Sequence, residues 1–122
     1  MAFPDAVTYG SAQNAGAGTS HAVTLPAGVT AGDLLLVFFS SDGNPTLSTA
    51  STGWALYGQA SNSTTVTGGI FYKIATGSDA LTVTTSASEQ TSHISVRISG
   101  ASGFAGTSAN GSGSNSDPAT HT

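Results

Sequence analysis

The sequence has no cysteine and only two basic residues, Lys73 and Arg97, in 122 positions. Without cysteine the chain has no disulfide, no thiolate metal site and no cysteine nucleophile. Six acidic residues outnumber the basic ones and leave a net charge of -4. Phosphate backbones and anionic lipid surfaces are held by clustered Lys and Arg. We therefore expect neither nucleic acid nor an anionic membrane surface as a partner.

Long apolar runs and helical periodicity are also missing. No apolar stretch approaches the roughly 20 residues of a membrane-spanning helix, so no membrane span is predicted. No segment repeats apolar residues three and four positions apart over two turns, which predicts little helix. Charged residues make up only 7% of the chain, while Ser, Thr, Gly and Ala are abundant. This composition predicts a surface covered largely by hydroxyl groups.

Alternating apolar and polar residues are the main pattern that is present. Segments of this kind recur between residues 20 and 99, separated by turn residues at intervals of roughly 8 to 14 positions. Such spacing is typical of sandwiches and jelly rolls built from short strands. We therefore predict an all-β fold, an antiparallel β-sandwich that resembles a jelly roll and has seven or eight short strands.

Composition divides the chain into three regions. Residues 1–19 are predicted to form an N-terminal arm with a short strand at positions 6–9, and residues 20–99 to form the β-sandwich domain. Residues 100–122 contain one large apolar side chain, Phe104, among Gly, Ser and Ala. A segment with so little apolar surface does not fold alone, and we interpret it as a tail or as a linker to further sequence.

Six large apolar residues in a row, at positions 34–39, raise the question of what covers both faces of one strand. In a two-sheet sandwich, one face of each sheet points away from the core. Either Leu34, Leu36 and Phe38 or the three residues that alternate with them should therefore face outward.

Two later strands also alternate, and we expect their isoleucines to face the core. The inward residues are predicted to be Ile70, Tyr72, Ile74, Ile94, Val96 and Ile98. The outward residues are predicted to be Phe71, Lys73, His93, Ser95 and Arg97.

The outward apolar residues Leu34, Leu36, Phe38 and Phe71 are therefore candidate interface residues. One alternative is that residues 1–19 fold over them, and the other is that a second subunit packs against them. We favour the subunit, because the arm is rich in Gly and Ser and because bare apolar patches are commonly interfaces. This predicts a homo-oligomer, either a trimer or a dimer.

Catalytic and metal-binding patterns are weak in this sequence. The acidic residues lie in predicted turns, and the three histidines are far apart, so no convergent acid–base pair or metal-ligand spacing is visible. Asp42 and Asn44 supply oxygen atoms of the kind that bind calcium, but a plain turn is the favoured interpretation. We predict a protein that is not an enzyme and has no cofactor.

A sugar-binding platform is the other binding site that the residues allow. Trp54 and Tyr57 could stack on a sugar ring, with Gln59 and Asn62 as hydrogen-bonding neighbours. The alternative is that Trp54 anchors the core, which is more common for a single Trp at the start of a strand.

Several short motifs lie between residues 20 and 103. They are a Leu-Pro-x-Gly turn at Leu25, Gly32-Asp33 before the apolar strand, Gly53-Trp54, Tyr-Lys-x-Ala-Thr-Gly from Tyr72, and Arg-Ile-Ser-Gly from Arg97. Together they resemble a domain of tailed-bacteriophage structural proteins. These motifs consist of turn and strand residues, so they specify a fold better than a role.

This resemblance implies a component of the virion, without catalytic residues. Its expected partners are the major capsid protein or other virion proteins. The function that we favour is a capsid decoration or cement protein that stabilises the shell. The alternative is a carbohydrate-binding or host-attachment module of a tail fibre or head spike, with a host glycan as ligand.

Overall fold

The chain folds into β-strands joined by turns. The computed structural model describes residues 3–101, 103 and 104. Within these residues the strands are β1 (Asp5–Ala22), β2 (Leu34–Asp42), β3 (Leu47–Ser48), β4 (Ala55–Asn62), β5 (Val66–Ile74) and β6 (Thr82–Ser99). All pairings are antiparallel and the described part contains no helix, so the all-β prediction is confirmed. No described residue belongs to a helix long and apolar enough to cross a membrane.

The strands form one sheet in the order β1-β6-β2-β5-β4, with β3 pairing on β6. The structure has six strands, where the sequence predicted seven or eight short ones, because β1 and β6 each continue for 18 residues. Their pairing is irregular between Asn14 and Ser20, where the register shifts twice. Register shifts of this kind increase the local bend of a ribbon.

Bending brings the start of β6 over the other strands and encloses the core. Val83, near the start of β6, and Leu81, which precedes the strand, belong to the same buried cluster as Leu35 and Phe71 from β2 and β5. Leu47 of β3 completes this second layer. The result is a sandwich-like arrangement in which one sheet supplies both layers.

The face of β5 and β6 that points to the core is the opposite of the predicted one. Phe71 and Ser95 are fully buried and His93 is buried, whereas Ile94 is 53% exposed. The segment after β1 explains this orientation. Its Thr24 amide donates to His93 Nε2 at 2.9 Å, and Ser95 Oγ donates to the Thr24 carbonyl at 2.6 Å. Polar side chains therefore face inward because the segment packed on them offers hydrogen bonds.

The predicted N-terminal arm is an edge strand. β1 covers most of residues 1–19 and pairs with β6 from Asp5↔Ser99 to Ala22↔Thr82. In the sheet order, β6 lies between β1 and the apolar strand β2. Most of the predicted tail, residues 105–122, lies outside the described residues.

Candidate functional site

Nine apolar residues form a regular grid on the side of the sheet that points away from the core. We call this grid the outer face. It lies on the three central strands β6, β2 and β5, whose register aligns the residues in cross-strand rows. The rows are Ile98–Leu34–Ile74, Val96–Leu36–Tyr72 and Ile94–Phe38–Ile70.

The outer face is exposed along two of its borders. Phe38 and Ile94, in the last row, are 46% and 53% exposed, and Ile74 at the opposite corner is 42% exposed. Tyr9 of β1 pairs with Val96 and extends the middle row; it is also exposed. These side chains make one continuous apolar surface, because cross-strand neighbours on one face lie within about 5.5 Å of each other.

Both basic side chains are bound inside the protein and leave the outer face uncharged. Lys73 Nζ lies 2.8 Å from Asp79 Oδ1, and Arg97 Nε lies 2.6 Å from Asp33 Oδ2. The hydrogen bond from the Thr30 backbone amide, followed by that from Arg97, holds the pKa of Asp33 below its usual value despite partial desolvation. The nine side chains of the outer face therefore offer apolar contact and no charge.

The segment after β6 covers one side of the outer face. The ring of Phe104 lies 4.8 Å from the ring centroids of both Tyr57 and Tyr72. Tyr57 belongs to β4, and β2 and β5 lie between β4 and β6 in the sheet. Phe104 therefore lies over the β4–β5 side of the outer face. Leu34, at this end of the face, is only 5% exposed.

The predicted interface residues divide between the two sides of the sheet. Leu34, Leu36 and Phe38 belong to the outer face, as one of the two alternatives had it. Phe71 was placed outward by the sequence, and this is wrong because it is fully buried in the core. Its neighbours Ile70 and Tyr72 occupy the outer face instead. Alternation identified these pairs of residues but not which member points outward.

The predicted sugar platform is engaged in internal contacts. Trp54 is buried, and its Nε1 donates to the carbonyl of Ala80 at 2.9 Å, so this residue anchors the core. Tyr57 packs on Phe104, and Gln59 Oε1 accepts a hydrogen bond from the Leu47 amide at 2.8 Å. Asn62 ends β4 and is half-buried. The favoured interpretation of Trp54 as a core anchor is therefore confirmed, and the alternative that places it on an exposed sugar platform is wrong.

A groove lies on β1, β6 and β2, where these strands continue from the Phe38–Ile94 row of the outer face into polar residues. Its volume is about 640 Å³, and a smaller pocket of about 200 Å³ adjoins it. The residues common to both are Gln13, Ser40 and Ser92. Asp42 lines the smaller pocket, and no three His, Cys, Asp or Glu side chains come together anywhere in the described residues. No sequence pattern predicted this groove, because its residues come from three segments that are far apart in the chain.

Two buried histidines have their rings near that of Phe39. Their ring centroids lie 5.9 Å (His21) and 6.4 Å (His93) from that of Phe39. His21 Nε2 lies 3.0 Å from the Thr85 hydroxyl, and His93 Nε2 accepts from the Thr24 amide. Burial lowers the pKa of both imidazoles, although a backbone contact at Gly18 partly opposes this for His21. Both rings serve as neutral structural groups at neutral pH.

Comparison of the chain with protein-family models, with curated proteins and with solved structures found no match in any of the three.

Proposed function

We propose that this chain is a non-enzymatic structural component of a tailed-bacteriophage virion, and that it decorates and stabilises the capsid shell. The observation that carries the proposal is the outer face, an uncharged apolar grid on the central strands. The resemblance of the turn and strand motifs to phage structural domains supports the assignment to a virion.

The dimensions of the outer face suit an assembly contact. Three strands at about 4.8 Å spacing and three rows at about 6.8 Å give a footprint of roughly 14 by 20 Å. This footprint of about 300 Å² is near the size at which apolar patches on monomers are often functional, and its exposed part lies at Phe38, Ile94, Ile74 and the adjoining Tyr9. The footprint therefore forms the centre of an interface, and the surrounding Ser and Thr side chains form its polar rim.

Two kinds of partner are proposed for this face. One is a second or third copy of the chain, giving a dimer or a trimer, and the other is the major capsid protein or another virion protein. Closed symmetry is the usual form of such assemblies, because it buries each apolar patch and leaves none to extend into a fibre.

Self-association is tested by analytical ultracentrifugation of the intact chain and of variants of the outer face. Ile74→Ser replaces an exposed apolar side chain of the grid, and Tyr9→Ser removes the aromatic ring that extends its middle row. Each should weaken self-association by at least tenfold. Val66→Ser is the matched control, because Val66 is an exposed residue of β5 that lies outside the three rows. A wild-type chain that stays monomeric at millimolar concentration contradicts the oligomer.

The location is tested by cryo-electron microscopy and mass spectrometry of purified phage particles that carry the gene. Density for the sandwich on the outside of the shell, with the outer face against its neighbour, is the expected result. Absence of the chain from particles overturns the proposal.

A further inference from the structure

The groove joins a polar row of side chains to an apolar row. Register places Gln13, Ser92 and Ser40 opposite one another on β1, β6 and β2. The next row along the same strands contains Ile94 and Phe38, both exposed. The two rows are separated by two residues along each strand, which is about 6.8 Å.

The polar row is not used by the fold. In the described part of the chain, the side-chain hydrogen bonds at this end involve Asn14, Ser41 and Thr91. The amide of Gln13 and the hydroxyls of Ser40 and Ser92 take no part in them. These groups can both donate and accept, so they match a ligand whose own groups also do both.

Charge restricts the class of ligand. No Lys or Arg lines the groove or its adjoining pocket, and Asp42 supplies one carboxylate at the edge. A phosphate or a carboxylate ligand would meet no cation here and would be repelled by Asp42. A neutral ligand with many hydroxyl groups meets no such penalty.

Size and shape narrow the class further. A volume of about 640 Å³ lies within the roughly 300–1,000 Å³ range of small-molecule sites. A pyranose ring has hydroxyl groups around its edge and an apolar C–H face. The 6.8 Å between the rows allows that face to rest on Phe38 and Ile94 while the edge hydroxyls reach Gln13, Ser92 and Ser40.

We infer that this groove binds a neutral saccharide, with Phe38 and Ile94 beneath the sugar ring and Gln13, Ser40 and Ser92 at its hydroxyl groups. The site differs from the one predicted around Trp54. A single free protomer presents the complete groove, so the inference does not rest on the proposed function. The groove shares Phe38 and Ile94 with the outer face, so a saccharide and a partner chain compete for these two side chains.

The test is a heteronuclear NMR titration of the full chain. The probes are the methyl glycosides of glucose, galactose, mannose and N-acetylglucosamine, with glucuronic acid as the charged arm and glycerol as the acyclic polyol. At least one neutral glycoside should shift the backbone amides of Gln13, Ser92 and Ile94 in a saturable way. Glycerol and glucuronic acid should not do so at the same concentration.

Two variants assign the contacts. Gln13→Ala removes a solvent-exposed amide, and Ser92→Ala removes one hydroxyl; each should weaken binding by about three- to tenfold. Asn62→Ala is the matched control, because it removes an amide from β4 on the far side of the sheet, and it should leave binding unchanged. These variants lie outside the residues used to test self-association, so failure of one proposal is distinguishable from failure of the other.

Three results would each overturn the inference. They are the absence of any saturable shift with all four glycosides, shifts confined to β4 around Tyr57 and Asn62, and equal binding by the wild type and by a folded Gln13→Ala variant. Tighter binding of glucuronic acid than of the neutral sugars would overturn the neutral class.

Discussion

Phe39 and Phe71 meet edge to face in the centre of the core, with ring centroids 6.3 Å apart. They lie on neighbouring strands, and Phe39 pairs with Gly69 rather than with Phe71 itself. A Cβ at position 69 would lie 2.7 Å from Leu47 Cδ1, so any larger residue there requires Leu47 to move. Phe39 also lies near the rings of His21 on β1 and His93 on β6, so it connects both histidines with Phe71 on β5.

Adjacent phenylalanines on β2 should differ sharply in their contribution to stability. Phe39→Ala leaves a cavity among buried rings and should lower the free energy of unfolding by about 3–5 kcal/mol. Phe38→Ala removes a side chain that is half in solvent and should cost less than about 1 kcal/mol in the monomer. Urea denaturation followed by tryptophan fluorescence measures both. Similar costs for the two would show that the faces of β2 are wrongly assigned.

The buried pair of Lys73 and Asp79 should respond asymmetrically to removal of one partner. Asp79→Asn leaves Lys73 charged beside a neutral amide and should cost about 3 kcal/mol. Lys73→Met should cost less, because the Asp79 carboxylate keeps hydrogen bonds from Thr76 and Gly77.

A double-mutant cycle on this pair supplies the control. The double variant Lys73→Met/Asp79→Asn should be more stable than Asp79→Asn alone, since the unpaired ammonium is gone. Additive costs would mean that the two groups do not interact in solution.

Acid should destabilise the protein in the range where histidine titrates. The folded pKa of His21 and of His93 lies below the usual 6.5, so the unfolded chain binds more protons between those values. The stabilisation by the neutral rings is complete above pH 6.5 and is lost as the pH falls below it. Urea midpoints measured at pH 7.5 and 5.5 should therefore decrease with acid.

A substitution separates this effect from general acid denaturation. His93→Gln keeps an acceptor for the Thr24 amide but cannot titrate, and it should reduce the pH dependence.

The carboxylates contribute in a different range of pH. Burial alone would raise the pKa of Asp79, but hydrogen bonds from Lys73 and from backbone amides outweigh it, and the pKa lies below its usual value. The pKa of Asp33 is also lowered. Their stabilisation is lost only as the pH falls below 3.8. A midpoint constant from pH 7.5 to 5.5 would contradict neutral buried histidines.

Phe104 should contribute to stability although it follows the last strand. Phe104→Ala removes its contacts with Tyr57 and Tyr72 and should cost about 1 kcal/mol. It should also raise the binding of an apolar dye, because the covered side of the outer face is opened. Phe3→Ala is the matched control, since Phe3 is almost fully exposed, and it should change neither quantity. An unchanged midpoint in Phe104→Ala would show that the segment does not pack on the face in solution.

The positions of several strands could be predicted from their residues, but the face of each strand that points to the core could not. Leu81 and Val83 alternate with threonines, and the structure buries both. Ile94, Val96 and Ile98 alternate equally clearly, yet they point away from the core. Period-2 alternation separates a strand into two sets of side chains and carries no information about which set another layer will cover. The segment that covers the inner set of β6 comes from the distant residues 23–25.

By itself the sequence determined the all-β class, the low helix content and a strand that is apolar on both sides, because these follow from local periodicity and composition. Only the tertiary structure decided that Phe71 and His93 lie inside, that Trp54 is an anchor and that Phe104 covers part of the outer face. The groove at Gln13, Ser40 and Ser92 also depends on register between three strands far apart in the chain. Such pairings are set by the total free energy of packing and hydrogen bonding across the whole molecule, which no local pattern contains.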